Sequence, residues 1–261
     1  MIATMTLPPT THMGAVHLTV ADLDRSLAYY ETQVGLRVRE RSDGEARLGA
    51  GGDDLLVLRE VPGARPADRF SGLFHFALLV PHRRDLAAWL AHASRRRVPL
   101  TGLSDQAVSE AVYLRDPDHH GIEIYPDRPR EVWEGQVAER MTTLPLDTDD
   151  LLRGIDPASY DGLPTGTTMG HVHLCVADVA ASVDFYRSLG FDLMATYGDQ
   201  AAFLSTEGYH HHLGVNSWQS KGEPYAPDDR ATLTQVTVLE APEERELRDP
   251  SGIPLTLATA A

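Results

Sequence analysis

Cysteine is nearly absent from this 261-residue chain: Cys175 stands alone. That excludes an intrachain disulfide framework and fits a reducing compartment. No apolar run approaches the ~20 residues of a membrane-spanning helix. Met1 to His12 also lacks the basic segment and apolar core of a secretory leader. The expectation is a cytoplasmic protein with no membrane role. Positive charge is scarce as well. Lys and Arg number 23 against 38 Asp and Glu, for a net charge of −15, which argues against nucleic acid or an anionic membrane as the main partner. What remains is enough chain for one large or two modest domains with ample core.

What is present is an internal repeat. Gly14-Ala15-Val16-His17-Leu18-Thr19-Val20-Ala21-Asp22 recurs as Gly170-His171-Val172-His173-Leu174-Cys175-Val176-Ala177-Asp178. Both copies alternate as strands do and end on an aspartate suited to cap a helix. Helical spacing follows at Leu23, Leu27, Tyr30 and Val34, and again at Val179, Val183 and Tyr186, with Gly35 and Gly190 as stops. Short strands come next: Ala46 to Leu48, Leu55 to Leu58, Ala201 to Leu204 and His211 to Val215.

The second half of each repeat restarts the unit. Leu73 to Val80 reads as a strand; Leu86, Leu90 and Ala93 mark a helix; Val112 to Leu114 and Ile122 to Tyr125 close the unit. The fourth unit is abbreviated, because Leu233 to Leu239 is followed by Leu247 with no room for a helix. It ends at Asp249-Pro250-Ser251-Gly252-Ile253-Pro254-Leu255-Thr256-Leu257, which aligns without a gap on Asp116 to Ile124 and sets Thr256 where Glu123 stands. Glu123 alternates with Ile122 and Ile124, so it points away from them together with Tyr125. A carboxylate in such a strand is costly to bury unless a metal or another cation receives it.

Four strand–helix–strand units with these starts and this Asp-Pro ending resemble the vicinal oxygen chelate superfamily over nearly the whole chain. Val108 to Tyr113, the run through Arg128-Pro129, and Gly208-Tyr209-His210-His211-His212-Leu213-Gly214-Val215-Asn216 look like bacterial extradiol catechol 2,3-dioxygenases. The resemblance implies an α+β fold of four βαβββ modules, the fourth truncated, paired as half-barrels around a divalent metal. The expected divisions are a first domain at 13–126, a surface-packed linker at 127–168 and a second domain at 169–261.

Carried onto this chain, the resemblance puts first-strand ligands at His171 in module three and His75 in module two, and the last-strand carboxylate at Glu123. Modules one and four offer Ala15, Gln235 and Thr256 at the matching places. The expectation is therefore that module two pairs with module three across the domain boundary. The alternative, His17 with His75 and Glu123 inside the first repeat, needs a ligand displaced by one pleat. Two imidazoles and one carboxylate suit mononuclear Fe(II), with Mn(II), Ni(II) and Zn(II) as other occupants.

The implied partners are a small aromatic diol, dioxygen and, in a homo-oligomer, further copies of this chain. Proton movements need a base near the substrate hydroxyl and an acid near oxygen. Strand alternation sends His210 and His212 to one face and His211 to the other, and His212 is the expected inward acid–base group or fourth ligand. Tyr113, ten residues before Glu123, matches the family's active-site tyrosine. Gln106 stands where the extradiol signature has a histidine, and His119 where it has glycine or proline. His119 and His120 read as exposed turn residues, and His173 and His17 as core histidines bonded to backbone. Two other classes stay open: a glyoxalase-like isomerase or lyase, for which His212 occupies the place of a second glutamate, and a metal-free small-molecule binder.

Overall fold

The computed structural model describes residues 6–156 and 160–259. The first five residues of the stretch from Met1 to His12, on which the expectation about a leader was placed, lie outside the described residues. Two large sheets carry the fold. Seven strands run in the order Arg245–Arg248, Pro254–Leu257, Leu233–Leu239, His12–Val20, Asp54–Glu60, Glu45–Gly49, Arg37–Ser42. Eight run in the order Asp192–Tyr197, Ala201–Ser205, Leu213–Asn216, Thr168–Cys175, Gly72–Leu79, Gly121–Tyr125, Glu110–Arg115, Leu100–Asp105. Modules one and four thus share the first sheet, and modules two and three share the second. The fold is α+β, built from four modules in two paired half-barrel sheets with the last module lacking its helix.

The period of two explains which side chains form the core. Val16, Leu18 and Val20, Leu56 and Leu58, Phe76 and Leu78, Ile122 and Ile124, and Val172 and Leu174 are all fully buried in one apolar cluster with the helical residues Tyr30, Leu86, Trp89 and Tyr186. Their alternate neighbours His75, Glu123, Tyr125, His171 and His173 must then face the opposite, concave side of the eight-stranded sheet. The helices begin where their caps predict. The Asp22 carboxylate accepts from the Arg25 amide at 2.9 Å and Asp178 from the Ala181 amide at 3.0 Å. Gly35 closes the first helical segment at φ 92°.

The repeated Asp-Pro turn has a structural reason. Asp116 Oδ1 accepts from the amides of Asp118 and His120 at 2.9 and 2.8 Å, while Tyr30 donates its hydroxyl to Oδ2 at 2.9 Å. Asp249 does the same for Ser251 and Ile253 at 2.8 and 2.9 Å, with Tyr186 at 3.4 Å. Each turn also grips the end of another module's first strand. His120 Nε2 lies 2.9 Å from the Thr19 carbonyl, and Ser251 Oγ accepts from the Ala177 amide at 2.9 Å. His120 is therefore buried rather than exposed, whereas His119 is out in solvent beside Asp68.

Among the strands that the sequence reading missed are Arg37–Ser42, Leu100–Asp105 and Asp192–Tyr197. Each is an outer strand with mostly solvent-facing side chains, so the apolar signal is weak. The strand expected from His211 begins only at Leu213. Residues 206–212 form a turn, and strand alternation does not govern the histidine triplet. Trp133 and Leu151 are buried, and Trp133 donates from Nε1 to the Arg128 carbonyl at 3.0 Å, but Leu144 is 52% exposed.

Candidate metal centre

His75 reaches the site from the strand Gly72–Leu79, His171 from Thr168–Cys175 and Glu123 from Gly121–Tyr125. These are adjacent strands, in which His171 lies opposite Ala77 and Ala77 beside Glu123. Nε2 of His75 and Nε2 of His171 lie 3.0 and 3.1 Å from the same oxygen, Oε2 of Glu123, and 3.4 Å from each other. All three residues are buried. His17 sits in the other sheet, opposite Gln235, so the arrangement confined to the first repeat is not the one that forms.

Three donors at about 2.1 Å from an ion and at right angles to one another are about 3.0 Å apart. The observed triangle, with sides of 3.0, 3.1 and 3.4 Å, is close enough in size for all three atoms to bind one ion. Glu123 Oε1 is buried with no partner, a loose end that a metal in this position would use. Burial alone would raise the Glu123 carboxyl pKa; the His171 and His75 imidazoles outweigh it and hold the group well below the usual carboxylate range. Burial lowers His171. An ionised carboxylate beside a neutral imidazole is the form in which these groups bind a metal. The His75, Glu123 and His171 set is a buried metal site.

Around it stand the other polar groups. Tyr113 packs its ring 5.5 Å from His75, and Gln106 Nε2 donates to its hydroxyl at 2.6 Å. Burial, then the Glu123 charge, push the Tyr113 phenol well above its ordinary pKa, so it is a donor at neutral pH. A cavity of about 330 Å³ opens against His75 and Tyr113, lined also by Phe74, Gly102, Ile122 and Gln219. That is the lower end of the range for small-molecule sites. Trp218 edges the approach with its ring 5.3 Å from Phe74.

The histidine triplet is split by its turn. His211 lies with its ring 4.0 Å from that of His171, and His210 with its ring 6.4 Å from it. His212 instead turns to Ser205, Nδ1 to Oγ at 2.7 Å, and to the Tyr209 ring at 4.9 Å. Burial pulls His212 down to about 3 and His211 well below the imidazole range, with His210 and His171 charges adding to the effect. His173 was expected to be tied to backbone. It lies instead 5.0 Å from the His75 ring with Nε2 buried and unpartnered. His211 and His173 were not singled out as site residues from the sequence, and neither was Asp127, whose Oδ1 lies 2.8 Å from His210 Nε2. Only the triplet itself carried a signal for one of them.

Comparison with known proteins agrees with this geometry. The family profile described as Glyoxalase/Bleomycin resistance protein/Dioxygenase superfamily matches residues 12–124 and 168–235. The chain is 41% identical over 246 residues to a protein of Bacillus subtilis (strain 168) named catechol-2,3-dioxygenase, covering 91% of this chain and 85% of that one.

The chain belongs to the glyoxalase/bleomycin resistance protein/dioxygenase superfamily.

Solved structures show the superfamily's fold at lower identity. A Bacillus subtilis protein aligns with a TM-score of 0.62 at 15% identity over 98% of this chain and 86% of its own. Glyoxalase I from Zea mays aligns with a TM-score of 0.57 at 18% identity over 95% and 92%. Among the described residues no helix is long and apolar enough to cross a membrane.

Proposed function

We propose that this protein is an extradiol ring-cleaving dioxygenase that opens a catecholic ring with dioxygen, using Fe(II) held by His75, Glu123 and His171. The carrying observation is the buried triangle of two imidazoles and one carboxylate, of which His75 also lines a small cavity, in a chain 41% identical to a catechol-2,3-dioxygenase. When bound, such an ion has free positions for both substrates and lets electron density pass between them without an organic cofactor.

The chain's own residues then position and move protons. The small cavity beside His75 is of a size for a single ring and is walled by Phe74 and Tyr113. Tyr113, aligned by Gln106, offers a hydroxyl hydrogen bond next to His75. The acid–base role expected of His212 goes to His211 in this proposal, because His211 is the member of the triplet against His171. His210 stands behind it, and His212 holds the turn through Ser205.

Fe(II)-loaded protein mixed with catechol or an alkylcatechol in air should form a yellow ring-opened product while consuming one dioxygen per ring. Metal analysis after anaerobic purification should find Fe. Turnover of a methylglyoxal–thiol adduct, with no oxygen uptake on any catechol, would overturn the proposal in favour of an isomerase.

A further inference from the structure

The cavity beside His75 continues outward. Gln219, which lines it, also lines a larger open groove of about 740 Å³ together with Asp68, Arg69, Trp218, Lys221 and Glu223. The rim of this groove is fixed in place. Ser220 donates from Oγ to the Val176 carbonyl at 3.0 Å, and the Gly222 amide donates to the Ala177 carbonyl at 2.9 Å. Ser71 Oγ donates to the Glu223 carbonyl at 2.8 Å. Trp218 is nevertheless 44% exposed, with its ring 5.3 Å from Phe74, which walls the inner cavity. An indole held in that position offers an apolar face to whatever passes between groove and cavity.

The charges of the groove are uneven. Asp68 is engaged, with Arg115 at 3.4 Å and His119 Nδ1 at 2.9 Å. Arg69 and Lys221 make no ion pair among the described residues, and Glu223 is the remaining carboxylate. Two cations against one carboxylate stand out on a chain of net charge −15, whose field repels anions over most of its surface. Lys221 brings a charge on a flexible stem and Arg69 a planar fork, and both forms receive carboxylates. Arg69 also sits at φ 71°, a left-handed backbone that residues other than glycine seldom adopt and that collects at ligand-holding loops.

We infer that this groove is the subsite for a ring substituent, and that the preferred substrate is a catechol carrying a short arm that ends in a carboxylate. The ring occupies the cavity at His75, the arm passes Gln219 along Trp218, and Arg69 and Lys221 receive the anion. The inference deepens the ring-cleavage reading and rests on it for the identity of the ring. Exposed cations hold an anion modestly, so the preference is on the order of tenfold and weakens as salt is added.

The test compares catechols that carry a propanoate, a propyl or an aminoethyl arm. Calorimetric titration of the Zn(II)-loaded full chain without oxygen should give the propanoate compound a Kd on the order of tenfold below that of the propyl compound at low ionic strength. The gap should close in the double variant Arg69→Gln, Lys221→Gln, which should fold because both side chains are exposed. In the Fe(II)-loaded enzyme, kcat/KM should rank the compounds in the same order. Equal affinity for the propanoate and propyl compounds, tightest binding of the aminoethyl compound through Glu223, or a preference that survives the double variant would each overturn the inference. Preferential binding of the propanoate compound with no ring cleavage would sink the proposed function and leave the subsite standing. Ring cleavage of all three compounds with no preference among them would do the reverse.

Discussion

The two sheets have the same plan and different contents. In the eight-stranded sheet His173 lies opposite His75; at the corresponding place in the seven-stranded sheet His17 lies opposite Gln235. Glu123 pairs with Ala77, and Thr256 pairs with Thr237. Two strands further on, Gly214 and Phe203 of the one correspond to Val57 and Arg47 of the other. Gln235 spends its amide on Thr237 at 3.2 Å, and Arg47 holds Asp54 at 3.1 Å. Burial first, then the Arg47 charge, lower the His17 pKa, which puts a guanidinium on that concave face. The lesson is that strand register makes a place for a metal. Only donors of the right kind, with no resident cation, make a site.

Removing donors should have the largest effect. Glu123→Ala and His171→Ala should each take metal content from near one per chain to near zero, while His17→Ala and Thr256→Ala leave it unchanged. Elemental analysis of purified protein decides this. Full metal in His171→Ala with loss in His17→Ala would reverse the assignment of the two sheets.

Proton transfer comes next. His211→Gln should retain metal and lose about 10²–10⁴ in turnover, the usual size of an acid–base contribution. His212→Gln should change turnover only a few-fold, because that ring serves Ser205 and the turn. The opposite ranking in steady-state kinetics would return the role to His212.

Transplanting the other sheet's residues sharpens the comparison. Phe203→Arg puts the Arg47 charge at the same register, and chelator competition should show metal bound at least on the order of tenfold more weakly. Gly214→Val copies Val57. A Cβ there would come within 2.8 Å of the His173 ring, so urea denaturation should show about 1–3 kcal/mol of lost stability. Metal affinity unaltered by Phe203→Arg would show that charge on the concave face is irrelevant.

The smallest expected signal is an absence of reaction. Burial, only partly offset by a Ser220 hydrogen bond, pushes the Cys175 thiol up to about 11. A raised thiol pKa means less thiolate below it, roughly 10⁻⁴ of the group at pH 7. Iodoacetamide should label Cys175 in denatured protein and barely at all in the native state. Rapid native labelling would mean that the strand Thr168–Cys175 opens readily.

The repeat, the caps at Asp22 and Asp178, the Asp-Pro turns and the missing fourth helix were all legible in the chain, because each is a local pattern read within about ten residues. The ligand positions His75, Glu123 and His171 came instead from the family resemblance; alternation along the strands set only the face on which each side chain lies. The outer strands Arg37–Ser42, Leu100–Asp105 and Asp192–Tyr197 were not, since edge strands lack a buried face to pattern. His120 looked like any turn histidine until its contact with Thr19, 101 positions away, appeared.

The sequence by itself therefore determined the modules, the side of each strand that could hold a metal and the scarcity of donors in modules one and four. The pairing of module two with module three was expected from where the donors fall, and the tertiary structure decided it against the arrangement inside the first repeat, because pairing of Thr168–Cys175 with Gly72–Leu79 depends on register between distant segments. The tertiary structure alone decided which histidine of the triplet meets His171. Residues 206–212 leave the strand before alternation can act, and His210 and His212 find partners outside the turn, in Asp127 and Ser205. Local periodicity propagates only through regular backbone, and at this turn there is none to carry it.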